Sequence, residues 1–402
     1  MSQQTPENGQ HPSVYIVAGE VSGDRYAAVL WAELKRLWPQ AKAAGVGGSY
    51  LRAVGQDQLF DLSVHAVVGI TDVLRHYFKF RSFFNQIVED IQKRKPEALI
   101  LVDYPGFNLR LAKKIKKITP SLPIIYYISP QVWAWKKRRT RLMKKVIDLL
   151  LVIFPFEKDW FEKNEPSLKV EWVGHPLLDR WHGPAHKRTE EGHPLRKITL
   201  MPGSREKEIR RHLPLMMETA IRTKAFLPEA SFTILAADQT AKKWIYEVLK
   251  EEKLNGLHVE VYTGYQLTYL SRSDLVLVAS GSATLECCLA RAPMLVVYRV
   301  HPLTYWIGRS LVKVPYLSMV NILAGEKVVP EFLQENATAE HLTQAIQKIA
   351  ADTRWLDMMQ DRLDRVNASL GGPGASVHAA HAIYQLLKSR AAANTVDARV
   401  DK

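Results

Sequence analysis

A chain of 402 residues is too long for one hydrophobic core and points to two domains. Apolar residues make up 47%, which excludes a disordered chain, and the formal charge of +14 favours an anionic partner: a phosphorylated substrate, anionic lipid or nucleic acid. The two cysteines, Cys287 and Cys288, are adjacent and cannot staple distant segments, which fits a reducing compartment.

The first dozen residues, MSQQTPENGQHP, hold no apolar signal-peptide core. Val14–Ala18 reads as a strand, followed by Gly19-Glu20-Val21-Ser22-Gly23-Asp24 and a helix from Arg25 to Leu37. Gly45-Val46-Gly47-Gly48 reads as a glycine-rich turn, without the third glycine of a dinucleotide fingerprint. Residues 75–84 mix five aromatics with cations, among them Arg75, Phe78, Phe80 and Phe83. That mixture suits a lipid headgroup and acyl chain, or equally a helix with a buried aromatic face. The buried strand Ala98–Val102 leads into Asp103, a carboxylate at a strand's carboxyl end and so a candidate general base; a turn-capping role before Pro105 is the alternative. Ile124–Ile128 and Leu149–Ile153 are further strands. Between them Trp133, Trp135 and Lys136 open a basic, aromatic patch for an acceptor phosphate or anionic lipid, unless it is a solvated helix face. Val146–Phe156 is the longest apolar candidate and is far short of the ~20 residues that span a bilayer.

The proline- and histidine-rich segment Gly174–Pro194 reads as a linker. Five more strands follow: Ile198–Met201, Ser231–Ala236, Val259–Tyr262, Leu275–Ala279 and Met294–Tyr298. The first runs into Pro202-Gly203-Ser204-Arg205, a turn that offers backbone N–H groups and a guanidinium to phosphate. The fourth runs into Ser280-Gly281-Ser282-Ala283-Thr284-Leu285-Glu286, where small residues admit a diphosphate and Glu286 could accept ribose hydroxyls. Each has a plainer reading, as a strand-to-helix turn and an ordinary helix carboxylate. No Asp-x-Asp pair, Walker loop or zinc spacing occurs, so no metal or other cofactor is expected. The expected fold is α/β: two doubly wound, Rossmann-like domains over 1–180 and 195–365 with an interdomain cleft, and a helix at about 370–390 packing back on the first.

Ten segments in consistent order resemble the lipid-A-disaccharide synthases: AGEVSGD, GVGG, VVGITDVL, VDYPGFNLRLAK, YYISPQVWAWKKRR, FPFE, VGHPLLD, MPGSRxxEI, SGSATLE and VPYLSMVNILAG. The resemblance implies a GT-B glycosyltransferase. It implies an inverting transfer from UDP-2,3-diacylglucosamine to 2,3-diacylglucosamine 1-phosphate that forms a β-1,6 disaccharide and UDP. By motif position it assigns Asp103 as base, Arg205 to the diphosphate, Glu286 to ribose and Asn321 to the donor, with Ser22, Gly23 and Asp24 lining the cleft. It also implies a cytoplasmic protein on the inner face of the inner membrane, with an anionic membrane surface and a second copy of the chain as candidate partners and no nucleic acid. Ser282, Val320 and Asp72 depart from the usual threonine, proline and glutamate. Other GT-B enzymes, such as a UDP-sugar epimerase or a peptidoglycan-precursor transferase, are the alternative.

Overall fold

The computed structural model describes residues 12–62, 73–134, 139–180, 195–252, 256–264, 266–300 and 315–400, with backbone alone at 73–80, 266 and 394–400. Trp135, Lys136 and Asp72 lie outside the described residues, as does most of the linker segment, and Arg75, Phe78 and Phe80 are described only as helix backbone. The chain divides into two compact units, residues 1–179 with 372–402, and residues 180–371.

Unit 1 begins with β1 (Ser13–Ala18), α1 (Val21–Leu37), β2 (Lys42–Gly47), α2 (Ser49–Ala53), β3 (Asp57–Asp61) and α3 (Val73–Arg94). It continues through β4 (Ala98–Val102), α4 (Pro105–Ile118), β5 (Ile124–Tyr127), α5 (Thr140–Val146), β6 (Leu149–Val152), α6 (Pro155–Asn164) and β7 (Val170–Trp172). The strands form one parallel sheet in the order β3-β2-β1-β4-β5-β6-β7. β4, β5 and β6 are buried along their whole length, because helices cover both faces of a parallel sheet and every side chain then needs to be apolar.

The structure departs from two local expectations. Gly45 to Gly47 lie in β2 rather than in a turn: the strand shifts register between Gly45 and Val46, and the Ile16 carbonyl fills the space a Cβ at 45 would need. α1 starts at Val21, not Arg25, so Ser22, Gly23 and Asp24 form its first turn. The buried Asp24 carboxylate accepts the N–H groups of Gly48 (2.7 Å), Tyr50 (2.9 Å) and Leu51 (3.2 Å), tying α1 to the start of α2.

Unit 2 contains β8 (Lys197–Met201), α7 (Glu206–Lys224), β9 (Ser231–Ala236), α8 (Gln239–Glu251), β10 (Val259–Thr263), α9 (Gln266–Leu270) and β11 (Leu275–Ala279). α10 (Ala283–Leu289), β12 (Met294–Tyr298), α11 (Met319–Ala324), β13 (Glu331–Leu333), α12 (Ala339–Ala351) and α13 (Arg354–Ser369) complete it. Its parallel sheet has the order β10-β9-β8-β11-β12-β13. The last helix, α14 (Ala375–Val400), belongs to unit 1. Asp179 caps it by accepting the N–H groups of Gly374 (2.6 Å), Ala375 (3.0 Å) and Ser376 (2.8 Å), and Tyr384 lies 4.5 Å from the Trp38 ring at the end of α1.

Strand order reverses between β1 and β4 in unit 1 and between β8 and β11 in unit 2. In such sheets the connections leave a crevice at the carboxyl ends of those two strands, and ligands bind there. No helix among the described residues is long and apolar enough to cross a membrane.

Candidate active site

In unit 1, Ala18 pairs with Val102, so the turns after β1 and β4 leave the sheet side by side. Asp103 and Tyr104 both adopt left-handed backbone, with φ of 46° and 48°. For residues with a Cβ this costs of order 1–3 kcal/mol each and persists only where the surroundings impose it. They do so here. The Asp103 N–H donates to the Tyr127 carbonyl (2.9 Å). The Asp103 carbonyl accepts from Tyr126 Oη (2.5 Å) and from Asn108 Nδ2 (2.8 Å), which also donates to the Val102 carbonyl (3.1 Å). Pro105 then opens α4, where its fixed φ suits the helix and its missing N–H costs nothing. On the next strand Ile128, β-branched, has φ 66°, so strain gathers where β4 and β5 end. Asp103 itself is half-buried.

The aromatic residues near this crevice divide. Phe83 packs on Phe60 (4.7 Å between centroids), Phe84 on Phe107 (5.6 Å), and Tyr104 stacks on Phe107 (5.9 Å). Trp133 donates its indole N–H to Glu157 Oε1 (2.9 Å) and sits edge-on to Phe156. Glu157, fully buried, also accepts the N–H groups of Ile153 (3.2 Å) and Phe154 (3.1 Å). Burial pushes its carboxyl up to about 7, against the pull of those three donors. Close by, burial pushes the His175 imidazole down to about 4, its ring 5.4 Å from Phe154. The residue-level reading missed Glu157 as an anchor of the Trp133 segment. Its signal was local: proline opening a helix and glutamate two residues later, the third position of a capping box.

In unit 2, Met201 pairs with Val278, so the turns after β8 and β11 also start on neighbouring strands. Gly203 has φ 125°, and a Cβ there would stand 2.7 Å from both Cβ and Oε2 of Glu208. Glu208 Oε2 accepts the Ser204 N–H (3.2 Å), and its Oε1 lies 3.4 Å from Arg205. The Ser204 N–H at the opening of α7 is thus already taken by Glu208, and the Arg205 guanidinium beside it is 64% exposed. One turn further along α7, His212 is buried; Nδ1 meets the Pro202 carbonyl (2.9 Å) and Nε2 accepts the Arg299 N–H (3.0 Å). Burial lowers its pKa, so the neutral ring pins the turn to the end of β12. Sequence reading passed over His212, whose only signal was its i, i+4 spacing from Glu208.

Gly281 and Ser282 are exposed and Ala283 is half-buried; a Cβ added at Gly281 would meet nothing within 4 Å. Ser280 donates to the Leu317 carbonyl (3.4 Å) and buried Thr284 to the Gly281 carbonyl (2.8 Å), so both hydroxyls shape the turn. Glu286 is half-buried on α10. Asn321 is buried, and its amide is engaged internally: Oδ1 accepts from Val328 and Val329, while Nδ2 donates to the Val329 carbonyl and to Glu331. Glu331 also accepts from Leu317 and Ser318, which ties α11 to β13 beside Ser280. Among the described residues, no three His, Cys, Asp or Glu side chains form a group able to hold a metal ion.

Residues 14–379 match the family described as Lipid-A-disaccharide synthetase. The chain is 39% identical over 367 residues to lipid-A-disaccharide synthase 1 of Legionella pneumophila, covering 90% of this chain and 94% of that one. It is 36% identical over 381 residues to the lipid-A-disaccharide synthase of Myxococcus xanthus, covering 94% and 98%. The structure of UDP-GlcNAc 2-epimerase from Neisseria meningitidis bound to UDP-GlcNAc superposes with a TM-score of 0.59 at 13% identity, covering 94% of this chain and 99% of the other, a likeness of fold alone. With two parallel α/β sheets and a family match across most of its length, the chain belongs to the lipid-A-disaccharide synthetase family, glycosyltransferases of lipid A biosynthesis with the GT-B fold.

Proposed function

We propose that the chain transfers diacylglucosamine from UDP-2,3-diacylglucosamine to the 6-hydroxyl of 2,3-diacylglucosamine 1-phosphate, inverting the anomeric centre and releasing UDP. The observation that carries this reading is the contrast in equipment at the two strand-order reversals. One presents a half-buried carboxylate on strained backbone, the other an exposed guanidinium and, at Gly281, a turn whose backbone is open to approach. Asp103 accepts the proton of the acceptor hydroxyl. The hydroxyl oxygen bonds to the anomeric carbon, and the bond to the UDP oxygen breaks with its electron pair leaving on UDP. Arg205, with the backbone at Gly203 and at Gly281 to Ala283, takes up that charge, and Glu286 holds the ribose. Asn321, engaged internally, serves the donor by holding α11 in place. Asp24 serves the acceptor side by holding α2, with Ser22 and Gly23 in the same helical turn.

The lipid substrates call for peripheral attachment to an anionic membrane surface. The excess of basic residues supports this, and a second copy of the chain is a candidate partner. The test is turnover of purified protein with both lipid substrates in the presence of a chelator. Disaccharide formation supports a metal-independent transfer, and turnover that returns only on adding a divalent ion overturns that part of the reading.

A further inference from the structure

We propose that Asn108 and Tyr126 are positioning residues for Asp103, gripping its carbonyl so that the left-handed backbone at 103–104 is the only one the site can adopt. The proposal rests on the reading of Asp103 as the base and adds how the base is set.

Two donors from different elements converge on one carbonyl oxygen. Tyr126 Oη comes from β5 (2.5 Å) and Asn108 Nδ2 from the first turns of α4 (2.8 Å). The second hydrogen of the Asn108 amide goes to the Val102 carbonyl (3.1 Å), so one side chain spans the peptide where the strand ends and the turn begins. Asn108 is fully buried, and its Oδ1 has no hydrogen-bond partner among the described residues. Leaving a buried acceptor unmatched is costly, and an apolar side chain of the same size would avoid that cost. The amide is therefore held for its two donated bonds. Tyr126 is also fully buried; burial, then the nearby Asp103 charge, drives its phenol far above the ordinary range, so it remains a donor at every working pH.

Removing a donor should loosen the carbonyl and let the backbone at 103 relax toward an ordinary turn. A base displaced by about 1 Å can lose on the order of 10²-fold in rate. Tyr126→Phe keeps the ring and removes one bond, and Asn108→Leu keeps the volume and removes both amide bonds. The expected result is a fall in kcat of about 3–10-fold for Tyr126→Phe and about 10–100-fold for Asn108→Leu, with KM for both substrates and UDP affinity within about 2-fold of the parent. A merely structural role would lower stability without this split. If Asn108→Leu fails to fold, Tyr126→Phe alone decides. Wild-type kcat in Tyr126→Phe together with inactive Asp103→Ala overturns the positioning role and leaves the base intact. Full turnover in Asp103→Ala overturns the base reading itself.

Discussion

The two strand-order reversals solve opposite problems with opposite residues. Beside the β1–β4 reversal the left-handed backbone is carried by Asp103 and Tyr104, both with side chains, and buried donors hold the Asp103 carbonyl. At β8 and β11 the unusual backbone is carried by Gly203 and Gly281, with φ of 125° and 155°. A turn that must present a side chain cannot use glycine and needs a second set of interactions to offset the strain. At Gly203 the missing Cβ makes room for Glu208, whereas at Gly281 it leaves the backbone open to approach by a ligand. The base proposed in unit 1 and the diphosphate site proposed in unit 2 call for that contrast.

The sharpest way to break this comparison is to substitute at Asp103. Asp103→Ala and Asp103→Gly should each lower kcat by about 10²–10⁴-fold, read by disaccharide formation, with UDP binding retained. Their stabilities should differ: the glycine variant should be about 1 kcal/mol more stable than the alanine variant, because only alanine pays the left-handed penalty. Equal melting would mean that the strain is not real.

On the other side, Arg205→Ala should weaken UDP affinity by about 10–100-fold, the loss of one charge-assisted contact of about 1.5–3 kcal/mol. Its stability should stay within about 0.5 kcal/mol of the parent, because its pairing with Glu208 is largely exposed. Calorimetric titration with UDP and a thermal melt check both halves. Unchanged UDP affinity would remove the phosphate role from unit 2.

The smallest effect concerns pH. Glu157 binds a proton more readily folded than unfolded, so it makes stability fall as pH rises from about 4.5 to about 7. His175 resists protonation when folded, so it makes stability rise between about 4 and 6.5. The two trends oppose each other over most of that window. Glu157→Gln should therefore make stability rise more steeply with pH than in the parent, by on the order of 1–3 kcal/mol between pH 4.5 and 6.5 in denaturant titrations. A profile no steeper than the parent's would mean that Glu157 is ionised throughout.

Much of the fold was legible in the sequence because strands buried on both faces are continuously apolar. β1, β4, β5, β6, β11 and β12 stood out that way, and β8, β9 and β10 as runs with polar residues among the apolar ones. The misses have a common cause. β2 hides behind glycines and alanines, β3 carries charge at both ends, and β7 and β13 have only three residues each. Of the candidate site, the places of Asp103 and Arg205 were legible because each follows a strand, at the carboxyl end of its sheet. Asn321 and Asp24 were legible as residues in motifs but not as hydrogen-bond hubs, since their partners lie 7 to 27 residues away.

Sequence alone determined the alternation of apolar runs and amphipathic helices, the positions of the two glycine turns and the family. Those are properties of neighbours along the chain. Only the tertiary structure decided which strands lie side by side, and hence that Tyr126 and Asn108 meet on one carbonyl and that Glu157 receives the Trp133 indole. Those contacts depend on sheet order and burial, which bring together groups that no local spacing relates.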